Sequence, residues 1–359
     1  MKNACIVIRD KEQSFSGDEF EPVVAALIDG GYAPDPVLLV ADDDVHAFAQ
    51  ALTDYKNSSN NLFVIAPGGA AAELRLRVCE ILQAAIPQGW VVEKQKKLIA
   101  CLAGGARGAE IAEKEVIPFL NAKYAVQHDR VVLRAVGAPA DTVKAVLREA
   151  EQNSAGQLRV HLTESAGDQR FEIVYDNSTP KMLIDDVTRR LIVGLGDHVY
   201  AADDTPLNRR VIELLSLRGL KLSIAESFTG GGIAQKLIEV PGASKVLFES
   251  IVAYDNGSKM KRLGVHESTL RGKGAVSDDT AYEMAAGLIA GGDCDVSGAT
   301  TGIAGPQSDG TDKPVGLCFL AVGTKETVYV YKYMYAGTRS EITRRAITQA
   351  LYLLYKQLK

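Results

Sequence analysis

The chain has 359 residues, which is too long for one ordinary domain and predicts two or three domains. Apolar residues make up 47% and charged residues 24%, and no uninterrupted apolar stretch reaches the length that spans a bilayer. The net charge is −5 and the basic residues are dispersed, so a polyanion such as DNA is a poor partner and a small ligand a better one. The apolar run after Asn3 is broken by Arg9 and Asp10, too early for a signal peptide, and we therefore expect a cytoplasmic protein.

The five cysteines are an odd number, lie far apart in mostly apolar runs and show no C-x-x-C spacing: Cys5, Cys79, Cys101, Cys294 and Cys318. We expect buried, reduced thiols, and neither a zinc site nor a disulfide framework is indicated.

The first 125 residues alternate strands with helices, which predicts an α/β domain with a mainly parallel sheet. The predicted strands cover 3–8, 36–40, 62–66 and 98–103, and the predicted helices cover 23–28, 45–55 and 111–120. Gly68 and Gly69 follow the third strand but are interpreted as a plain turn. The acidic run from Asp42 to Asp44 could hold a divalent metal, although we expect it to cap the next helix.

Residues 126–202 change to a small α+β module, and residues 203–359 form a third domain. The module's predicted strands are 131–136, 158–162 and 170–175, with helices over 142–151 and 182–193. The third domain's predicted elements are helices over 208–218, 280–290 and 340–357 and strands over 247–254 and 317–322, with a turn over 299–306. The predicted fold class is therefore multidomain α/β.

The segment from Ile224 to Gly232 holds most of the candidate chemistry. A hydrophobic run ends there in Ser227, Phe228 and Thr229, three glycines follow, and Ile233 opens a helical pattern. A glycine turn before a helix exposes main-chain amides, so it suits a phosphate or an oxyanion. Ser227 is then a nucleophile or, in the simpler interpretation, the helix N-cap.

A serine nucleophile needs a base, and the third domain has one histidine, His266, with nothing in the sequence to tie it to Ser227. Tyr254 ends an apolar strand and Lys259 follows the Asn256-Gly257 pair. A lysine desolvated beside a phenol could accept the serine proton. Spacing alone leaves open that Tyr254 is a strand-end side chain and Lys259 a surface charge.

The third domain resembles the C-terminal domain of the competence/damage-inducible protein A (CinA) family, whose stand-alone relatives are nicotinamide mononucleotide amidohydrolases. The resemblance runs from about Asn208 to the C-terminus, through the matching segments 225–231, 241–244, 263–265, 274–277, 301–306, 313–316 and 337–339, with Tyr254 and Lys259 at matching places. The family usually has cysteine where this chain has Phe228.

The resemblance implies hydrolysis of the carboxamide of nicotinamide mononucleotide, a small-molecule substrate, to nicotinic acid mononucleotide and ammonia, with no cofactor or metal. It implies Ser227 as the nucleophile and Tyr254 with Lys259 as its activating pair. The remaining residues that it places at the substrate are Thr229, Gly230, Gly231, Thr301, Gly302 and Arg339. Amides from Thr229 to Gly232 would face the substrate or oxyanion, and Arg339 would pair with the 5′-phosphate. It also implies a homodimer, without nucleic-acid or membrane partners.

The first domain resembles the family's molybdopterin-binding-like N-terminal domain, through its α/β order and the segment 117–121, and the middle module resembles its KH-like linker. The expected nucleotide-site motifs are replaced by Arg9-Asp10-Lys11 and by 68–71, while Gly17-Asp18-Glu19 lies too late after its strand. We therefore expect this site to be lost.

Two alternatives to the amidohydrolase stay open on the sequence. The first is a metal-dependent ADP-ribose pyrophosphatase in the N-terminal domain, which the run from Asp42 to Asp44 and the family history suggest. The second is an inactive scaffold whose pocket Phe228 blocks.

Overall fold

The computed structural model describes residues 2–11, 17–67, 71–155, 157–158, 160–308 and 310–359. Gly68, Gly69 and Ala70, where we predict a turn, lie outside these residues, as does Arg159 of a predicted strand. The mixed α/β architecture, in which the described residues form three separate sheets, confirms the predicted fold class.

The chain divides into two compact units. The first comprises the residues up to Arg130 together with Val174–Ile184, and the second comprises Val131–Ile173 together with Asp185–Lys359. The three predicted domains, 1–125, 126–202 and 203–359, remain a prediction, although each of the three sheets lies within one of them.

The first sheet has the strand order β2-β1-β3-β5-β4, with all neighbours parallel except β4 and β5. Its strands are β1 (Asn3–Arg9), β2 (Val37–Ala41), β3 (Asn61–Ala66), β4 (Val91–Lys94) and β5 (Lys97–Ala103). Its helices are α1 (Glu21–Asp29), α2 (Val45–Ser58), α3 (Ala71–Leu82), α4 (Gly105–Ile111) and α5 (Ile117–Tyr124), the last two joined by a π-helical turn. Alternate residues of β1 enter different apolar clusters, so helices cover both faces of this sheet.

The acidic run before α2 caps that helix, as predicted. The Asp44 carboxylate accepts the Ala47 amide at 2.8 Å, and Asp43 pairs with Lys11 at 2.7 Å. Within the described residues, no group of three or more His, Cys, Asp or Glu side chains could hold a metal ion. The acidic run is therefore explained by helix capping and an exposed ion pair.

A four-stranded sheet follows, in the order β7-β8-β6-β9. Its elements are β6 (His128–Val136), α6 (Ala140–Asn153), β7 (Val160–Ser165), β8 (Asp168–Asp176), α7 (Lys181–Leu195) and β9 (Val199–Ala201).

The third sheet has the order β11-β10-β12-β13-β14. Its strands are β10 (Leu222–Glu226), β11 (Leu247–Val252), β12 (Val296–Gly302), β13 (Leu317–Thr324) and β14 (Val328–Met334). Its helices are α8 (Leu207–Arg218), α9 (Gly232–Ile238), α10 (Asn256–Leu263), α11 (Glu267–Gly272), α12 (Asp278–Ala290) and α13 (Arg339–Leu358). Helices α8, α9 and α13 cover one face and α10 and α12 the other, giving three layers.

Strand β10 is parallel to both of its neighbours, β11 and β12, so the carboxyl ends of all three strands meet at one edge. The chain leaves β10 through α9 to reach β11 on one side, then crosses by α10 to α12 to reach β12 on the other side. The strand order therefore reverses at β10, and open α/β sheets bind ligands at such a reversal.

The five cysteines are buried and unpaired, as predicted. No helix in the described part of the chain is both long and apolar enough to cross a bilayer.

Candidate functional site

The nucleophile candidate Ser227 lies directly after β10, at the edge where the three strand ends meet. Its side chain is 8% exposed, and its amide donates to the Thr300 carbonyl of β12 at 3.1 Å. The turn that follows contains Gly230 and Gly231 at φ 61° and 95°. Both angles lie in the left-handed region, which glycine adopts without steric cost, so these two glycines allow the tight passage into α9.

Lys259 is brought to Ser227 by the start of α10. Its side chain is 1% exposed, and Nζ lies 3.1 Å from Ser227 Oγ. Nζ also donates to the main-chain carbonyls of Ala253, at 2.8 Å, and Tyr254, at 3.1 Å. The interpretation of Lys259 as a surface charge is therefore wrong.

Burial lowers the pKa of Lys259 below its ordinary value of 10.5, because desolvation disfavours the ammonium form. The nearby Asp255 carboxylate, which caps α10, opposes this shift by raising the pKa. In its neutral form Lys259 can donate two N–H groups to the carbonyls and direct its lone pair at the serine hydroxyl. The pair can thus transfer a proton from Ser227 to Lys259.

Tyr254 contacts Lys259 through its main chain, while its phenol contacts another residue. The side chain is 63% exposed, and the phenol oxygen accepts a hydrogen bond from Arg339 Nη2 at 3.1 Å. Arg339 begins α13 and also donates Nη1 to the Gly305 carbonyl at 2.7 Å. The phenol of Tyr254 therefore contacts Arg339, the residue predicted to bind the phosphate. The predicted role of Tyr254 in activating Ser227 stays a prediction.

The predicted turn over 299–306 begins in a strand, because residues 299–302 are the end of β12. Thr301 is buried and donates Oγ1 to the Ala275 carbonyl at 2.6 Å. Thr229 is also buried, and its hydroxyl lies 2.8 Å from that of Thr300. These hydroxyls hold the turn against β12, and β12 against the segment at Ala275. The roles of Thr229, Thr301 and Gly302 in substrate binding stay predictions.

From the sequence, the main-chain amides from Thr229 to Gly232 are expected to face the substrate, but most of them are bonded within the protein. Those of Gly230 and Gly232 donate within the turn, to Ser227 O at 3.1 Å and Thr229 O at 3.0 Å, and that of Gly231 donates to Glu226 at 3.0 Å. Among the hydrogen bonds of the described residues, none involves the amides of Phe228 and Thr229. These two amides, one and two residues after the candidate nucleophile, are therefore the ones in the described turn that have no acceptor within the protein.

Phe228 points into the protein core. It is 7% exposed and packs in the cluster formed with α8, α9 and α13. Its ring lies against Gly302, where a Cβ would come within 2.9 Å of Phe228 Cε1. The expectation that Phe228 blocks the pocket is not supported by this position, because the ring occupies core volume beneath the turn.

Sequence reasoning missed Glu226 and the Ala253 carbonyl. Glu226 is the last residue of β10 and is fully buried. A carboxylate at the end of a mostly apolar buried strand, shortly before a glycine turn, is a signal that could have singled it out. The Ala253 carbonyl belongs to the main chain, which every residue has, so the sequence holds no signal for its role.

The CinA C-terminal domain family model matches residues 204–358. A candidate competence-damage inducible protein of Caldanaerobacter subterraneus subsp. tengcongensis is 34% identical over 281 residues, which cover 76% of this chain and 66% of that protein. A CinA-like protein of Kosmotoga olearia is 32% identical over 282 residues, covering 75% of this chain and 66% of the relative. The chain thus spans slightly less than two thirds of the length of these relatives.

Among solved structures, the competence/damage inducible protein CihA from Agrobacterium tumefaciens is 40% identical to the matched part, which covers 42% of this chain and 93% of that chain, with a TM-score of 0.41. The family model and the relatives agree with the resemblance that the motifs of the third domain carry. The chain therefore belongs to the CinA family.

Proposed function

We propose that the C-terminal domain hydrolyses the carboxamide of nicotinamide mononucleotide to nicotinic acid mononucleotide and ammonia. The observation that carries this proposal is the contact between Ser227 Oγ and the buried Nζ of Lys259, at 3.1 Å. Such a pair can perform acyl transfer without a histidine, and the family resemblance of the surrounding motifs supplies the substrate.

In the proposed reaction, Ser227 Oγ attacks the carboxamide carbon while neutral Lys259 accepts the hydroxyl proton. The free amides of Phe228 and Thr229 stabilise the negative oxygen of the tetrahedral intermediate. Protonated Lys259 then gives its proton to the departing amino group, which leaves as ammonia. Lys259 next takes a proton from water, the resulting hydroxide attacks the acyl ester, and the proton returns to Ser227 Oγ as the acid is released.

Arg339 and Tyr254 are proposed to act on the rest of the substrate. The guanidinium of Arg339 is exposed, and a planar fork of N–H groups suits the 5′-phosphate. Its hydrogen bond to Tyr254 connects the proposed phosphate position to the residue whose carbonyl orients Lys259. Tyr254 is thus proposed to contact both the residue that binds the phosphate, through its phenol, and the base at the carboxamide, through its main-chain carbonyl.

Ammonia release from nicotinamide mononucleotide by the wild type and by Ser227→Ala tests the proposal. We expect release by the wild type and a loss of about 10⁴-fold or more in kcat for the variant, because removing a nucleophile removes the covalent route. Ser216→Ala, at an exposed serine of α8 outside the site, is the control and should retain most of the activity. No release by the wild type contradicts the proposal, and equal release by Ser227→Ala contradicts Ser227 as the nucleophile.

A further inference from the structure

Glu226 holds a fully buried carboxylate beneath the turn that carries Ser227. Its Oε2 accepts the amides of Gly231 at 3.0 Å and Ile233 at 3.2 Å. Its Oε1 accepts the amide of Ala234 at 3.0 Å and the hydroxyl of Ser250 at 3.3 Å. One carboxylate therefore joins the end of β10, the first turn of α9 and the neighbouring strand β11.

The four contacts are all donors to carboxylate oxygens, and no ion pair to Glu226 occurs in the described part of the chain. A buried carboxylate is costly unless hydrogen bonds replace its hydration, and such groups are weak contributors to net stability. An apolar residue would fill the end of a buried strand at lower cost. The position of Glu226 is therefore explained better by what it holds in place.

The Glu226 carboxylate determines which amides of the turn remain available to hydrogen-bond a ligand. Because Glu226 accepts three amides at the start of α9, an anion cannot use that helix start. Fixing Gly231 also fixes the path of the chain from Ser227, so that the amides of Phe228 and Thr229 remain the free pair.

We infer that Glu226 is a positioning residue for the reaction at Ser227, and this inference rests on the proposed function. It sets the orientation of the Phe228 and Thr229 amides toward the oxyanion while touching neither the substrate nor the reacting atoms. Its contribution is therefore made in the transition state, where the oxyanion develops, rather than in substrate binding.

Glu226→Gln tests this role with little change in shape. A glutamine presents one oxygen and one amino group, so at least one side of the side chain would direct N–H groups at amide donors. We expect kcat for nicotinamide mononucleotide to fall roughly 10- to 100-fold, with KM changed less than about threefold, because a small displacement of oxyanion donors costs that much. Glu239→Gln is the matched control: Glu239 is exposed, follows the same helix and pairs with Lys236, and we expect unchanged kcat.

A fluorophosphonate probe supplies a second measurement that needs no substrate. The probe forms a tetrahedral adduct on an activated serine, so its rate constant depends on the same oxyanion donors. We expect labelling of Ser227 to slow in Glu226→Gln by a factor close to the loss of kcat. A purely structural role would lower the fraction of protein labelled while leaving the rate constant of the folded fraction unchanged, and that result would overturn the inference.

The two proposals fail in distinguishable ways. If the wild type releases no ammonia, the proposed function fails, and the labelling rates still decide the role of Glu226: slower labelling of Glu226→Gln supports it and equal labelling overturns it. If Glu226→Gln does not fold, Ser250→Ala replaces it, since that variant removes one of the four contacts. We then expect labelling several-fold slower than wild type, and an equal rate overturns the inference.

Discussion

At the scale of single residues, the site depends on one lysine whose surroundings the sequence does not show. Lys259 is surrounded by two main-chain carbonyls and the Ser227 hydroxyl, and it is almost completely buried. The sequence indicated the candidate pair through hydroxyl, glycine and lysine positions. It could not show that the phenol of Tyr254 is held by Arg339, because that contact joins residues 85 positions apart.

The pH dependence of kcat is expected to follow Lys259. The base must be neutral, so kcat rises with pH and levels off above the Lys259 pKa, which burial has lowered from 10.5. Asp255 raises this pKa, so Asp255→Asn should move the rising limb to lower pH, by roughly 0.1 to 0.7 pH unit if the exposed charge contributes 0.2 to 1 kcal/mol. Asparagine keeps the helix cap, because it too accepts the Gly257 amide.

The measurement is kcat as a function of pH for the wild type, Asp255→Asn and the control Glu267→Gln, which removes an exposed carboxylate that pairs with Arg271. The control should leave the limb in place. A limb that moves to higher pH in Asp255→Asn would show that a group other than Lys259 controls it.

At the scale of elements, the helix that carries Lys259 is pressed against α12. A Cβ added to Gly287 of α12 would lie 1.9 Å from the Leu263 carbonyl at the end of α10. This distance is far below contact, and the atom it meets belongs to the main chain, so α10 would have to move.

Gly287→Ala is expected to lower the free energy of unfolding by about 1 to 3 kcal/mol, the usual cost of overpacking, and to lower kcat because α10 positions Lys259. Gly272→Ala is the control, since nothing lies within 4 Å of a Cβ there. Urea unfolding and kcat are measured for both. A Gly287→Ala protein as stable and active as the control would show that α10 is not fixed by this contact.

Many elements with apolar patterns were predicted from the sequence, although α3 and β14 were missed despite theirs, and elements defined by polar or small residues were not predicted. β12 reads Val-Ser-Gly-Ala-Thr-Thr-Gly, which is typical of a turn, yet it is a buried strand, because it pairs with β10 on one side and β13 on the other. Helix α10, with three polar or glycine residues before Lys259, was missed for the same reason. In both cases tertiary pairing outweighs local preference.

At the scale of the whole molecule, the third sheet and its helices form most of one compact unit. The same unit includes Tyr200 and Val136, which pack in one cluster with α8 and α13. Tyr352 of α13 also donates its hydroxyl to the Asp197 carbonyl. The C-terminal helix is therefore covered in part by residues that precede position 203.

A fragment of residues 203–359 tests how far this covering matters. We expect it to fold and to keep kcat within about threefold, because all proposed catalytic groups lie inside it. Its free energy of unfolding should be lower by about 3 kcal/mol, since the contacts of Tyr200 and its neighbours with α13 are lost. Urea unfolding and ammonia release measure both quantities, and a folded fragment without activity would place an essential group before residue 203.

The space around Gly302 limits how the floor of the site can change. A Cβ at position 302 would lie 2.6 Å from Cys318 Cβ and 2.9 Å from Phe228 Cε1, so strand β13 and the turn after β10 both exclude a side chain there. Shortening Phe228 would remove one of these two contacts and leave a cavity under the turn. Position 302 therefore stays closed to a side chain even in that background, because Cys318 remains, and the two positions cannot exchange volume with each other alone.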